Sequence, residues 1–271
     1  MDTARIAALL EPFLEQSLLS SQLDQISIYI DLLLRWNARI NLTAIRHPEE
    51  IVTRHFGESF FLARHLFPKS VGSASSVART LLSANADSAQ LPATSQLSNL
   101  CHPERSRARS EAIGSARSKA CPELAEGDPY PSTAPHVLDI GSGAGFPALP
   151  LKLWAPHIRL TLIESNHKKA AFLREVARAL TLTNINVIPD RVEVLAARPD
   201  FPRAEVVTLR AVEQFAAILP QAVMLMAPSA TLALLIGAAQ IPHLTTLTAL
   251  KWCPQIPVPQ SRTRVLSIGV R

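Results

Sequence analysis

The residues best suited to chemistry lie in one stretch, His136 to Lys152. Apolar residues surround Asp139 there, and glycines follow at three alternate positions: Gly141, Gly143 and Gly145. This order, with helical spacing resuming behind it, predicts a buried strand, a glycine turn and the start of a helix. Glycine suits such a turn because the backbone takes positive φ and leaves room for a ligand. We therefore expect a nucleoside site at the carboxyl end of the first strand of an open α/β sheet.

The glycine spacing distinguishes between nucleoside cofactors. A dinucleotide-binding turn has the pattern G-x-G-x-x-G, but Phe146 stands where the third glycine would fall. The next predicted strand ends in Glu164, whose carboxylate can accept hydrogen bonds from both ribose hydroxyls of NAD or of S-adenosylmethionine. The G-x-G-x-G turn favours S-adenosylmethionine, and a tight turn without a ligand is the alternative.

Composition limits the function classes. The chain has 271 residues, 48% of them hydrophobic, and a net charge of +5, which permits an anionic partner such as RNA without requiring one. We expect no membrane helix, because no apolar run reaches about 18 residues, and no signal peptide, because acidic residues interrupt the first 20 positions. Three cysteines without metal-ligand spacing fit a reducing compartment and no metal site: Cys101, Cys121 and Cys253. A cytoplasmic protein is expected.

Three amphipathic helices are predicted before the glycine turn, over Ala4–Leu19, Leu23–Ile40 and Pro48–Leu66. Polar and basic residues gather around the end of the second: Asn41, Arg46, Arg54 and His55. One interpretation is that Asn41 faces the cofactor and that these residues hold a nucleotide. The alternative is that Asn41 caps the helix and the arginines are solvated.

Composition divides the chain into three parts. Residues 1–68 form a helical region, 69–135 a low-complexity insert predicted to be disordered, and 136–271 the cofactor-binding core. In the core, helices over Asn166–Leu180 and Glu213–Met226 alternate with strands, which favours a mostly parallel sheet covered on both faces. The further strands are expected at His157–Ile163, Ile185–Ile188, Val206–Leu209 and Thr231–Ile236, with a closing antiparallel pair at Leu247–Cys253 and Arg264–Val270.

Several motifs occur together in one order: Asn41-Leu42-Thr43 with Arg46, Arg54-His55, LDIGSGAGFP, Glu164-Ser165 before Lys168-Lys169 and Phe172-Leu173, Arg191-Val192-Glu193, and Leu209-Arg210-Ala211. In this the chain resembles the ribosomal small-subunit methyltransferase G family, also called glucose-inhibited division protein B. The resemblance implies a Rossmann-like class I S-adenosylmethionine-dependent methyltransferase fold with a mostly parallel seven-stranded sheet. It also implies methylation of guanine N7 in 16S rRNA, with naked rRNA or the 30S subunit as partner and a monomeric enzyme.

The resemblance also implies roles for individual residues. The cofactor would contact Gly141, Gly143, Gly145, Phe146, Glu164, Val192, Glu193 and Arg210. Asn41 would be the catalytic residue, and RNA would meet Arg46, Arg54, His55, Lys168 and Lys169. Three of these have a structural alternative: Phe146 only packs under the first helix, Glu193 is solvated, and Arg210 pairs with a structural carboxylate.

The chain departs from the family pattern at Ala148, usually glycine, at Glu58, usually aspartate, and at Ile236, often lysine. Three function classes therefore stay open. The first is the rRNA methyltransferase, in which N7 offers a lone pair and no proton, so that alignment matters more than a general base. The second is another enzyme, either a methyltransferase with a small-molecule or protein substrate or a nucleotide-dependent oxidoreductase. The third is a non-catalytic RNA-binding relic.

Overall fold

The structure is a computed structural model that describes residues 1–69, 134–212 and 214–271, all within one compact unit. The predicted insert 69–135 lies outside the described residues, apart from Lys69 and its last two positions. Among the described residues, no helix is long and apolar enough to cross a membrane. No group of three or more metal-ligating side chains occurs in the same part of the chain.

A single sheet forms the centre of the fold. Its strands are β1 His136–Ile140, β2 Arg159–Ile163, β3 Ile185–Ile188, β4 Ala204–Arg210, β5 Met226–Gly237, β6 Lys251–Trp252, β7 Ile256–Pro257 and β8 Arg264–Val270. They lie in the order β3-β2-β1-β4-β5-β8-β6, and β7 also pairs with β8. The first five strands are parallel, and β8 is antiparallel to β5. The mostly parallel Rossmann-like sheet is confirmed.

The outer edge of the sheet differs from the prediction. β6 pairs with one end of β8 and β7 with the other, so two short strands occupy the one position predicted for Leu247–Cys253. Pro254 lies between them and cannot donate a ladder hydrogen bond. Pro257 is tolerated inside β7 because that strand lies at the sheet edge. The seventh position of the sheet is therefore filled by an interrupted strand.

Helices cover both faces of this sheet. They are α1 Thr3–Leu10, α2 Ser20–Asn37, α3 Pro48–Ile51, α4 Glu58–Leu66, α5 Ala148–Trp154, α6 His167–Ala179, α7 Val192–Ala196 and α8 Phe215–Met224. Alternate residues of each strand enter opposite cores: Val137 packs with the N-terminal helices, and its neighbour Leu138 packs with α7 and α8. The N-terminal helices therefore belong to the same packed body as the sheet.

Two predicted helices differ in detail. The helix predicted over Ala4–Leu19 was too long: α1 ends at Leu10 and passes into a 3-10 turn, Glu11–Phe13, because Pro12 removes a donor and its ring blocks a further α-turn. The helix predicted over Pro48–Leu66 is continuous, but its middle, Val52–Gly57, is a π-helix. Such π-turns are frequent at functional sites, and this one carries Arg54 and His55.

Candidate functional site

The glycine turn follows β1 as predicted and is held by the end of β2. The backbone amides of Gly141 and Ser142 both donate to the carbonyl of Ile163, at 2.9 and 3.1 Å, and Gly145 donates to the carbonyl of Ser142 at 2.6 Å. These backbone hydrogen bonds hold the turn against the end of β2. Its amides lie at the carboxyl edge of the sheet, where open α/β folds bind their ligands.

Each glycine of the turn has positive φ: +69° at Gly141, +55° at Gly143 and +87° at Gly145. A Cβ atom at Gly145 would collide with the Tyr29 hydroxyl and with Leu149. At Gly143 the nearest atom within 4 Å, apart from sequence neighbours, is the Gly141 carbonyl oxygen at 3.7 Å. Gly145 therefore serves internal packing, whereas Gly143 leaves open space in which a ligand can lie against the backbone.

Glu164 lies beside this turn, directly after β2, and its side chain is buried. Its Oε2 accepts a hydrogen bond from the Gly143 amide and its Oε1 from the Asn166 amide, both at 2.8 Å. Each carboxylate oxygen has a further lone pair. Glu164 is thus positioned by the backbone and retains acceptor capacity for hydroxyl groups.

Asp139 lies in β1, opposite Thr208 of β4, at the point where the strand order reverses. Its Oδ1 accepts a 2.6 Å hydrogen bond from the Thr208 hydroxyl, but its buried Oδ2 has no partner among the described residues. Burial raises the pKa of Asp139 to about 7, against the hydrogen bond from Thr208, which lowers it. No role was predicted for Asp139 from the sequence; the signal was an acidic residue inside an otherwise apolar parallel strand.

Phe146 is buried between two other rings. Tyr29 of α2 stacks on one side, with ring centroids 5.3 Å apart, and His55 of the π-helix on the other, at 4.6 Å. The Tyr29 hydroxyl also donates to the Ala144 carbonyl at 2.5 Å. Aromatic pairs at such spacings stabilise each other beyond their buried area. The stack therefore joins the glycine turn to the N-terminal helices, and it accounts for the burial of Phe146.

His55 is held as a neutral imidazole. Burial, with the nearby charges of Arg210, Arg264 and Arg54, lowers the pKa of His55 to about 2. Its Nε2 lies 2.8 Å from the Thr43 hydroxyl, and its buried Nδ1 has no partner in the described part of the chain. His55 thus adds no positive charge to the site and leaves one ring nitrogen available.

Asn41 is exposed in the loop between α2 and α3 and does not cap the helix. That capping alternative is wrong, because the Asn37 side chain accepts from the amides of Leu42 and Thr43 and donates to the Thr43 carbonyl. Thr43 in turn contacts His55. The Asn41 loop is therefore fixed on both of its sides and connected to the aromatic stack.

A cluster of three arginines surrounds one buried carboxylate, Glu58. Its Oε2 accepts from Arg210 Nη2 at 3.0 Å and from Arg264 Nη1 at 2.6 Å, and its Oε1 lies 3.4 Å from Arg54 Nε. Burial lowers the pKa of Arg210 to about 10, against the attraction of Glu58, which raises it. We call these four residues the arginine cluster. Arg264 and the central role of Glu58 were missed, because their positions are distant in the sequence.

The remaining predicted site residues lie on several different elements. Val192 is buried and Glu193 exposed at the start of α7; Arg46 and Lys168 are exposed and Lys169 is half-buried. The amides of Lys168 and Lys169 donate to the capping side chain of Asn166. Two departures from the family pattern are fully packed: Ala148 begins α5 and Ile236 lies inside β5. Ile236 therefore belongs to the core of the fold.

Comparisons with known proteins point to one family. The family model described as rRNA small subunit methyltransferase G matches residues 22–74 and 124–251. A methyltransferase G of Chloroflexus aggregans is 32% identical over 210 residues, covering 76% of this chain and 60% of that protein. The Bacillus subtilis protein of the same name is 26% identical over 203 residues, covering 74% and 59%. The chain thus spans about three fifths of the length of these relatives.

Two methyltransferases are among the solved structures with similar coordinates. A ribosomal protein L11 methylase from Lactobacillus delbrueckii subsp. bulgaricus superposes with a TM-score of 0.43 at 14% identity, covering 52% of this chain and 72% of that one. A methyltransferase from Aquifex aeolicus, described as SAM-dependent, gives 0.42 at 14% identity, covering 50% and 81%.

Proposed function

The chain belongs to the rRNA small subunit methyltransferase G family, and from this membership we propose that it transfers a methyl group from S-adenosylmethionine to guanine N7 of 16S rRNA. The observation that carries the proposal is the extent of the family match. It includes the Asn41 loop, the π-helix, the glycine turn, Glu164 and Arg210. The same match favours the rRNA substrate over a small molecule, a protein or an oxidoreductase reaction.

The residues at the glycine turn fit this cofactor. The open space at Gly143 can receive a nucleoside against the backbone, and Glu164 keeps lone pairs for ribose hydroxyls. The buried Asp139 Oδ2 lacks a partner among the described residues, and an ammonium group would satisfy it. We propose Gly141, Gly143 and Glu164 as cofactor contacts, with Asp139 added to them.

We propose three further cofactor contacts: Val192, Glu193 and Arg210. Val192 and Glu193 begin the helix that follows β3, where the adenine edge is expected to lie, and Arg210 ends β4. The side chain of Phe146 is occupied by the rings of Tyr29 and His55. For Phe146 we therefore propose a contribution through the position of the turn.

The chemistry requires alignment rather than proton removal. The cofactor supplies a methyl group already activated on a sulfonium, and guanine N7 carries a lone pair and no proton. The chain contributes a loop, fixed by the Asn37 side chain, that presents Asn41. We propose that the Asn41 amide hydrogen-bonds the guanine edge and orients N7.

Residues 69–135 are proposed to be an insertion into this enzyme. The gap between the two matched ranges, residues 75–123, lies inside that segment, which supports the proposal. The helical region 1–68 and the core 136–271 are proposed as the two parts that together form the site. The cytoplasmic location and the monomeric state stay predictions.

The function is tested by incubating the protein with labelled S-adenosylmethionine and either 30S subunits or naked 16S rRNA. We expect label in 16S rRNA, at guanine N7 when the modified nucleoside is identified by mass spectrometry. Label on another base, on ribosomal protein, or in neither substrate while the cofactor binds, would overturn the proposal. The comparison of the two substrates also identifies the assembly state that the enzyme accepts.

Asn41→Ala tests the proposed alignment role. We expect turnover to fall at least tenfold while S-adenosylhomocysteine affinity, measured by calorimetry, is unchanged, because the amide contacts the base only. The matched control is Asn186→Ala, which removes an exposed amide from β3 and is expected to leave both quantities unchanged. Wild-type turnover in Asn41→Ala would remove this residue from the mechanism.

A further inference from the structure

The charges of the arginine cluster are not balanced by its own carboxylate. Three guanidinium groups, from Arg54, Arg210 and Arg264, share the two oxygens of Glu58. Glu50 also approaches Arg54, but at 3.9 Å and between half-exposed side chains, where an ion pair contributes little. The buried Arg210 is paired with Glu58, so the two guanidinium groups in excess, those of Arg54 and Arg264, lie on the solvent-facing side of the cluster, where they can bind an anion.

One buried nitrogen of Arg210 makes no hydrogen bond within the described residues. The Arg210 side chain is only 5% exposed, and its Nη2 donates to Glu58 and to the Arg54 carbonyl. Its buried Nη1 has no hydrogen-bond partner among the described residues. Buried donors of native proteins nearly always have a partner. The cluster therefore has the donors of an oxyanion site that protein atoms do not fill.

The exposure of the side chains to solvent increases from one side of the cluster to the other. Glu58 and Arg210 form its buried floor, whereas the side chains of Arg264 and Arg54 are 27% and 43% exposed at its rim. Arg264 begins β8, opposite Gly237 at the end of β5, and Arg54 lies on the π-helix. The two rim arginines thus come from different elements, and a large anionic ligand can reach them from solvent.

We propose that Glu58 holds Arg54, Arg210 and Arg264 as an oxyanion site that binds a backbone phosphate of the substrate RNA, with Arg264 as its outer contact. This rests on the proposed function. Guanidinium groups bind phosphate through paired, charge-assisted hydrogen bonds. Arg264 lies beyond residue 251, where the family match ends. The carboxylate of the cofactor is the other oxyanion that these guanidinium groups could bind.

Arg264→Met is the variant that tests the site without removing its support. Glu58 keeps Arg210 and Arg54 as partners, so the fold is expected to persist. The control is Arg262→Met, which changes the net charge equally at an exposed position two residues away. Arg264→Lys retains the charge but not the paired donors. Circular dichroism and the melting temperature establish that all three variants are folded.

The first arm measures binding of 16S rRNA by filter binding across a range of salt concentrations. For Arg264→Met we expect roughly tenfold weaker affinity than wild type and a salt slope smaller by about 0.7 to 0.9, the value for one phosphate contact. The RNA affinity of Arg264→Lys is expected to lie between those of wild type and Arg264→Met, and the affinity of Arg262→Met is expected to match wild type. Equal affinities and slopes for Arg264→Met and Arg262→Met would overturn the proposal.

The second arm identifies the source of the oxyanion. Calorimetry with S-adenosylhomocysteine is expected to give the same affinity for wild type and Arg264→Met. A loss of cofactor affinity with an unchanged RNA salt slope would assign the site to the cofactor carboxylate and overturn the RNA contact. If wild type itself binds no rRNA and transfers no methyl group, the proposed function fails instead, which separates the two outcomes.

Discussion

The two halves of the candidate site are built on different principles. The turn half, Gly141–Gly145 with Glu164, comes from two neighbouring strands, and backbone amides satisfy both oxygens of its carboxylate. The arginine cluster joins a π-helix, α4, β4 and β8, and its guanidinium groups outnumber its carboxylate three to one. The difference teaches that neutral amides fix the carboxylate of the turn half, whereas the cluster holds an excess of positive charge at its solvent-facing rim, which suits an anionic ligand.

The largest expected effect follows from removing the carboxylate of the cluster. Glu58→Gln leaves three guanidinium groups without their buried partner, and breaking such a pair costs about 3–5 kcal/mol of stability. Glu164→Gln removes one of two amide contacts in the turn half, at a cost of about 1–2 kcal/mol. Urea denaturation of both variants measures the difference. Equal losses would show that the two halves are not built differently.

The next largest effect is expected on the pH dependence of stability, through Asp139, which lies between the two halves. The unfolded carboxyl loses its proton near its ordinary pKa, whereas burial holds the folded pKa at about 7. Between these values the folded state binds more protons, so stability falls as pH rises towards 7 and is constant above it. Asp139→Asn removes this pH dependence, and the total change in stability that is lost with it is at most about 4 kcal/mol.

This prediction is checked by urea denaturation of wild type and Asp139→Asn at pH 4.5 and pH 7.5. We expect the stability of Asp139→Asn relative to wild type to be higher at pH 7.5 than at pH 4.5, since the carboxylate penalty is then absent. Parallel pH profiles would mean that Asp139 is ionised throughout this range, and its orphaned oxygen would then need a different explanation.

The comparison also explains what the sequence could predict. The turn half was predictable because local rules determine it: glycine supplies positive φ, and an acidic residue ending the second strand lies beside the first turn. Ile185–Ile188 was predicted with its observed bounds, since a short segment rich in β-branched residues between turn signals favours a strand. These features depend on neighbouring residues only.

The arginine cluster could not be predicted in this way. Arg210 and Glu58 were both noticed, but their contact spans 152 positions, and that between Glu58 and Arg264 spans 206. The sequence gives no distance between such positions without the fold. The extension of β5 back to Met226 was missed for a related reason: its register with β4 shifts between Ala204 and Val206, and the irregular stretch accommodates Pro228.

A smaller effect distinguishes two glycines inside the turn half. Both Gly145→Ala and Gly143→Ala place a side chain at positive φ, at a cost of about 1 kcal/mol. Gly145→Ala also collides with Tyr29 and Leu149, which adds about 1–3 kcal/mol of overpacking. Gly143→Ala meets open space, so we expect it to lose S-adenosylhomocysteine affinity with little further loss of stability. Calorimetry and denaturation of both variants test this, and equal stability losses would contradict it.

The smallest expected effect tests whether the halves are coupled through the aromatic stack. Tyr29→Phe keeps the ring on Phe146 but removes the hydrogen bond to the Ala144 carbonyl, which is expected to cost about 1–2 kcal/mol. Because that bond fixes the glycine turn, S-adenosylhomocysteine affinity should fall several-fold. Ser27→Ala is the control. It also removes a hydrogen bond made by a side chain of α2, but that bond is donated to the Met1 carbonyl, away from the turn.

The coupling is judged from cofactor affinity rather than from stability. Both variants lose a hydrogen bond of α2, so a loss of stability alone does not separate them. If only Tyr29→Phe weakens cofactor binding, the N-terminal helices position the turn through this hydroxyl, and the turn half depends on the same helical region that supplies Arg54 and His55. If both variants bind the cofactor like wild type, the backbone contacts to Ile163 are sufficient, and the two halves are independent.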